Sequence, residues 1–332
     1  MEVFLQIFTI CFLFLIGGGL FSLLLSVSER VSGLLMEDEA QDEERYAKAL
    51  ADAGIGEDDE QASKLEIPAL APTEKRKRMM RYHPARLLKQ DYVCDNCGSA
   101  QKPYELIPVC SFLFAKGKCR YCGKPLPIAR LLAEIFGGLL FLLIFARFGK
   151  NGMLAENFGL YGVLDVTAPM TVGKGIALVL MFLVAALLFL VALIDQKTMI
   201  IPNGLSLTML VFGIAGIFVF PEISPVEHLI GMVAVSLPMF LMTLLIEGAF
   251  GGGDIKLMAG AGLLLGWRLV LVAVFIGIVT GGIFGSVLLI AKKAERKAHF
   301  PFGPFLCLGI MAAAVCGWQL LGIYLSYMRG FF

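Results

Sequence analysis

Charged residues are missing from long stretches of this 332-residue chain and crowd into the gaps between them. Residues 3–28, 175–194, 269–291 and 305–328 each form an uncharged run. About 20 apolar residues, at roughly 1.5 Å each, cross the hydrocarbon layer of a bilayer. Each run therefore predicts a spanning helix, because a helix satisfies its own backbone hydrogen bonds in lipid. Shorter apolar stretches lie at 131–145, 204–220 and 229–246, and 255–267 adds a short span if the chain doubles back before 269. The pattern predicts an all-α polytopic membrane protein with about eight transmembrane helices. Composition agrees: 58% of residues are hydrophobic and 17% charged, against about half and a quarter in soluble domains.

Charge then orders the segments. Residues 37–60 hold eleven acidic side chains against Arg45 and Lys48, which predicts a solvated linker or loose helix. A basic stretch follows, from Lys75 to Lys89, and suits anionic headgroups. The net charge of +1 is the sum of these opposed blocks and points to no partner. By the positive-inside rule the basic region is cytoplasmic and the N-terminus outside. Counting spans forward brings Asp195, Lys197, the segment Gly251 to Lys256, and the basic group Lys292, Lys293, Arg296 and Lys297 to the cytoplasmic face. The first run is too long for a signal peptide and begins with acidic Glu2, so it reads as a retained anchor.

Two carboxylates stand where spans meet the interface. Asp195 closes an apolar run and opens Asp-Gln-Lys-Thr-Met-Ile-Ile-Pro-Asn, while Asp254 follows Gly251, Gly252 and Gly253. Ionisable groups at such depth are costly and are functional candidates by default. Brought together, two carboxylates share a proton, and the pair can activate water and assist at a carbonyl. The three glycines let a backbone approach an extended peptide. Spacing alone equally allows helix-capping aspartates or the proton relay of a transporter. Lys256 either tunes the charge of Asp254 or anchors a headgroup.

Four of the eight cysteines form Cys94-Asp95-Asn96-Cys97 and Cys119-Arg120-Tyr121-Cys122, with twenty-one residues between. Paired C-x-x-C knuckles at this spacing suit a closed, structural Cys₄ zinc site, with disulfides or free thiols as the alternatives. Gly98 and Gly123 would allow the knuckle turns. Cys11, Cys110, Cys307 and Cys316 sit in apolar runs and read as buried residues. Glu134 needs a partner or water; Arg130, four residues earlier, offers a structural pair, and a functional role stays open. His83, His228 and His299 have no ligand spacing.

Read together, Ile194-Asp195, Ile201-Pro202-Asn203, Gly251 to Leu257 and Phe300-Pro301-Phe302-Gly303-Pro304-Phe305 resemble the bacterial type IV prepilin peptidases, membrane aspartic proteases of the G-x-G-D class. Ile107 to Leu113 with Gly117 to Gly123, and Leu131 to Glu134, add two more motifs in the family's order. The resemblance implies that Asp195 and Asp254 are a catalytic dyad. It implies cleavage at the cytoplasmic membrane face, after a glycine that precedes the hydrophobic helix of a prepilin or pseudopilin. Membrane lipids are the other expected partner, and nucleic acid is not expected. Relatives also methylate the new N-terminus with S-adenosylmethionine. Here Leu25 holds the place of their asparagine ahead of Arg30, and Leu106 replaces the asparagine before Ile107-Pro108, which leaves that activity open.

The expected organisation is a first transmembrane helix (1–28), a charged cytoplasmic insertion (29–90), a small zinc-knuckle domain (91–127) and a transmembrane aspartic peptidase domain (128–332). A proton-coupled transporter and an inactive adaptor of a pilus or secretion machine are the alternatives.

Overall fold

The structure is a computed structural model and describes residues 2–53, 97, 108–148, 172–246, 250–290 and 301–329. The described residues form eight α-helices: α1 (Glu2–Ala53), α2 (Cys110–Phe114), α3 (Ile128–Phe148), α4 (Val172–Thr198), α5 (Asn203–Val219), α6 (Pro225–Leu245), α7 (Gly252–Ile290) and α8 (Gly303–Arg329). Six of them are long and apolar enough to cross a membrane, and α5 is a shorter apolar helix. The basic stretch 75–89, the basic group 292–297, Cys94, Gly98, Phe300, His83 and His299 lie outside the described residues.

α7 accounts for the remaining crossing. Its 39 residues would extend about 58 Å as one rod, twice the hydrocarbon thickness. The helix breaks at Gly266, whose φ of 74° and ψ of 169° lie where only glycine is at ease. Beyond that point the chain returns: Gly281 abuts Phe302 and Phe305, while Gly253 at the other end abuts Ile201. Both ends of α7 therefore reach the same end of the bundle. Counting α1, α3, α4, α5, α6, the two halves of α7 and α8 gives the eight crossings expected. The turn is fastened to α6 by an Arg268–Glu227 ion pair at 3.4 Å and by His228 Nδ1, 2.6 Å from the Leu263 carbonyl oxygen. His228, given no role from sequence, is fully buried there. Ser224 caps α6 by accepting from the Glu227 N–H at 3.2 Å, and Pro225 occupies its first turn.

Two apolar clusters fill the bundle. The larger gathers Val184, Leu188, Met209, Leu257, Leu264 and Ile310 from α4, α5, α7 and α8. The smaller joins α1, α3 and α4 through Phe21, Phe141, Ile144 and Met181. Large apolar side chains also face outward, among them Phe218, Leu245 and Ile290, each more than 80% exposed. On spanning helices that surface meets lipid tails rather than water.

One alternative is resolved and one expectation changes. α1 continues as helix through Ala53, so the first part of the acidic stretch takes the helical form of the two expected for it. Runs of good helix formers such as Glu, Ala, Lys and Arg favour that continuation. Cys11 is exposed rather than buried, while Cys307 is buried and Cys316 intermediate. An apolar stretch on a spanning helix does not reveal which of its faces meets lipid. The burial of Cys110 is not among the described features.

Candidate active site

Asp195 sits in the last turn of α4 and is 4% exposed. Its Oδ2 accepts a 2.9 Å hydrogen bond from the backbone N–H of Gly303, the first residue of α8. A helix N-terminus leaves such N–H groups unsatisfied and attracts negative charge. Any side chain at position 303 would collide with the Asp195 carboxylate, so glycine is required by this contact. Sequence reading placed Gly303 in a motif but gave it no role; the signal was the motif itself.

Asp254 is the third residue of α7. It is half-buried, and one carboxylate oxygen interacts with the backbone of Gly251. Its Oδ1 is buried and has no hydrogen-bond partner among the described residues. Asp254 lies within electrostatic reach of Asp195, and the buried Cys307 stands one turn into α8. Two acidic side chains from separate helices are thus brought to one end of the bundle. Gly251 and Gly252 are exposed beside Asp254, and Gly253 is half-buried. A Cβ at Gly253 would lie 2.7 Å from that of Ile201. The glycine run therefore lets α7 start directly against the loop that leaves Asp195.

Lys256 is exposed, and its Nζ donates to Asn203 Oδ1 at 2.7 Å. It thereby joins the first turns of α5 and α7. Asn203 was part of a motif in the sequence without a partner.

Glu134 belongs to a second polar group. It is 1% exposed; Oε1 accepts from Arg130 Nε at 3.2 Å and Oε2 from the Val109 N–H at 2.7 Å. Arg130 Nε also reaches Ser22 Oγ at 3.1 Å, so the group ties α1, α3 and the segment before α2 together. Cys97, Cys119 and Cys122 bring their sulfurs within 4.8 Å of one another. The knuckle at Cys119 closes through a 2.9 Å bond from the Gly123 N–H to the Cys119 carbonyl, with Gly123 at φ 72°. Three convergent thiols could hold a metal ion and would supply three of the four donors of a tetrahedral thiolate site.

Residues 181–286 match the model of the type IV leader peptidase family, and residues 65–148 match the bacterial peptidase A24 N-terminal domain. The chain is 30% identical over 237 residues to a prepilin leader peptidase/N-methyltransferase of Bacillus subtilis, covering 71% of this chain and 86% of that protein. A protein of the same name from Burkholderia pseudomallei is 30% identical over 68% of this chain and 66% of its own length. One from Stutzerimonas stutzeri is 27% identical over 71% and 75%. No solved structure gives a significant match. With both carboxylates inside the matched peptidase region, the chain belongs to the type IV leader peptidase family.

Proposed function

We propose that this protein is a membrane aspartic endopeptidase that cuts the leader from type IV prepilins or pseudopilins, with Asp195 and Asp254 as its catalytic pair. The observation that carries the reading is that Asp195, held by the first N–H of α8, and Asp254, at the start of α7, come within electrostatic reach of each other. Such a pair holds one proton between two carboxylates, activates a water with the ionised member and assists the scissile carbonyl with the other. The exposed Gly251 and Gly252 beside Asp254 give an extended peptide room to approach. Lys256, through Asn203, fixes the register of the two helix starts that frame this opening. The catalytic end and the cysteine knuckle face the cytoplasm, as the positive-inside rule assigns them.

Zinc fits the cysteines. Cys97, Cys119 and Cys122 would hold it, with Cys94 as the fourth ligand, and the ion would supply structure alone. Chelation that strips one zinc per chain and lowers the unfolding temperature supports this; folded, zinc-free protein of unchanged stability refutes it. S-adenosylmethionine does not fit Glu134, because burial and its two hydrogen bonds close that carboxylate off.

Mass spectrometry of a model prepilin, incubated with the purified protein and S-adenosylmethionine, tests the reading. Loss of the leader mass, abolished by Asp254→Ala, is expected. Cleavage that survives the substitution would sink it. An added methyl mass would show that methyl transfer is retained.

A further inference from the structure

The loop between α4 and α5 runs from one aspartate to the other. At its start the Met199 N–H donates to the Asp195 carbonyl oxygen at 2.8 Å. At its end Ile201 abuts Gly253, the neighbour of Asp254. Between these anchors Met199 and Ile200 are 54% and 44% exposed. Thr198 braces the turn: its Oγ1 donates to the Ile194 carbonyl at 2.9 Å and accepts from the Ile200 N–H at 3.3 Å.

Met199 holds a φ of 51°, in the left-handed region that glycine enters freely and other residues rarely do. Glycine would make this turn with less strain, and strain of this kind gathers at functional sites. The surroundings are wet: Gln196, Lys197, Asn203 and Lys256 are all exposed around the loop. Two apolar tips inside a polar rim mark a binding surface, not a lipid-facing flank. A second apolar link joins the aspartates, since Phe250 precedes Gly251 and Phe302 precedes Gly303. Those rings are half-buried, with centres 6.1 Å apart, whereas Met199 and Ile200 stand open.

We infer that Met199 and Ile200 determine specificity: they receive the first apolar turn of the substrate helix that follows the scissile glycine. The inference rests on the peptidase reading above. Of the two sides of the scissile bond, this one is hydrophobic and matches the loop in character. Methionine is unbranched and adapts to irregular apolar shapes, which suits substrates that share hydrophobicity rather than one sequence. Anchored at Asp195 and against Gly253, the loop sets such a helix start beside both carboxylates.

The test gives the full-length protein two model prepilins that differ only in the first turn after the scissile glycine, apolar in one and serine-rich in the other. Wild type is expected to favour the apolar substrate in kcat/KM by about twentyfold, and Met199→Gly combined with Ile200→Ser to bring that ratio to about two. Met199→Leu, which keeps the apolar volume, should keep the ratio. Glycine suits the backbone at position 199, so the unfolding temperature of Met199→Gly should not fall. The inference is overturned by a wild type without preference, by a ratio unchanged in the double variant, by equal slowing of both substrates, or by a destabilised Met199→Gly. In each of these cases cleavage by wild type leaves the peptidase reading standing. If wild type cut neither substrate, that reading would fall and this inference with it.

Discussion

The two apolar centres of the bundle are built differently. Around Asp195 and Asp254 the helices meet through backbone, as where the N–H of Gly303 reaches Asp195 and Gly253 faces Ile201. Around Phe21, α1 and α3 also approach at Gly17 and Gly137, but the space toward α4 is filled by rings: the Phe21 and Phe189 ring centres lie 4.3 Å apart, and Phe141 and Phe182 stack at 4.1 Å. Backbone contact leaves no volume for a methyl group and fixes distances tightly. Ring packing fills space with large side chains and carries stability through buried volume. The first centre is where position matters, the second where mass matters.

Substitutions can break that contrast. Asp195→Asn keeps the shape of the Gly303 contact and removes the charge, so cleavage should fall by about a thousandfold, within the span typical of acid–base groups. A quantitative prepilin assay reads this directly. Gly303→Ala pushes a methyl into the Asp195 carboxylate, and kcat should drop about a hundredfold with the unfolding midpoint little moved. If kcat were unchanged, the placement of Asp195 by α8 would be wrong. Phe141→Ala should do the reverse. It empties a site that is 3% exposed and should cost about 3 kcal/mol of stability, while the rate per folded molecule stays the same; chemical denaturation paired with the assay separates the two. Lys256→Ala should change KM by only about threefold, since an exposed polar contact is worth little. A large loss of kcat instead would place Lys256 among the groups that touch the reacting atoms.

Much of this architecture is legible in the sequence, because uncharged runs of spanning length have few alternatives in a bilayer. The two aspartates stand out for the same reason, being charges at the ends of such runs. What escapes is whatever depends on partners distant in the chain. Nothing near Asp195 announces that Gly303, 108 residues later, will hold it. The Glu134–Arg130 pair is local and could be read, whereas the Val109 N–H that completes it could not. Cys11 was assigned to the interior because hydrophobicity does not separate a lipid-facing surface from a packed one. The short span before Gly266 could be expected, but the sharp turn there depends on a single backbone conformation.

The first helix has a practical consequence. At 52 residues it is about 78 Å long, while the hydrocarbon layer is about 30 Å thick. A rod must therefore stand clear of the detergent belt, since residues 37–53 continue beyond the apolar window Ile10–Met36. Small membrane proteins hide inside their micelles and are hard to orient in electron micrographs. This one carries its own landmark, and a rigid helical fusion continuous with that rod would enlarge the particle without touching the carboxylates.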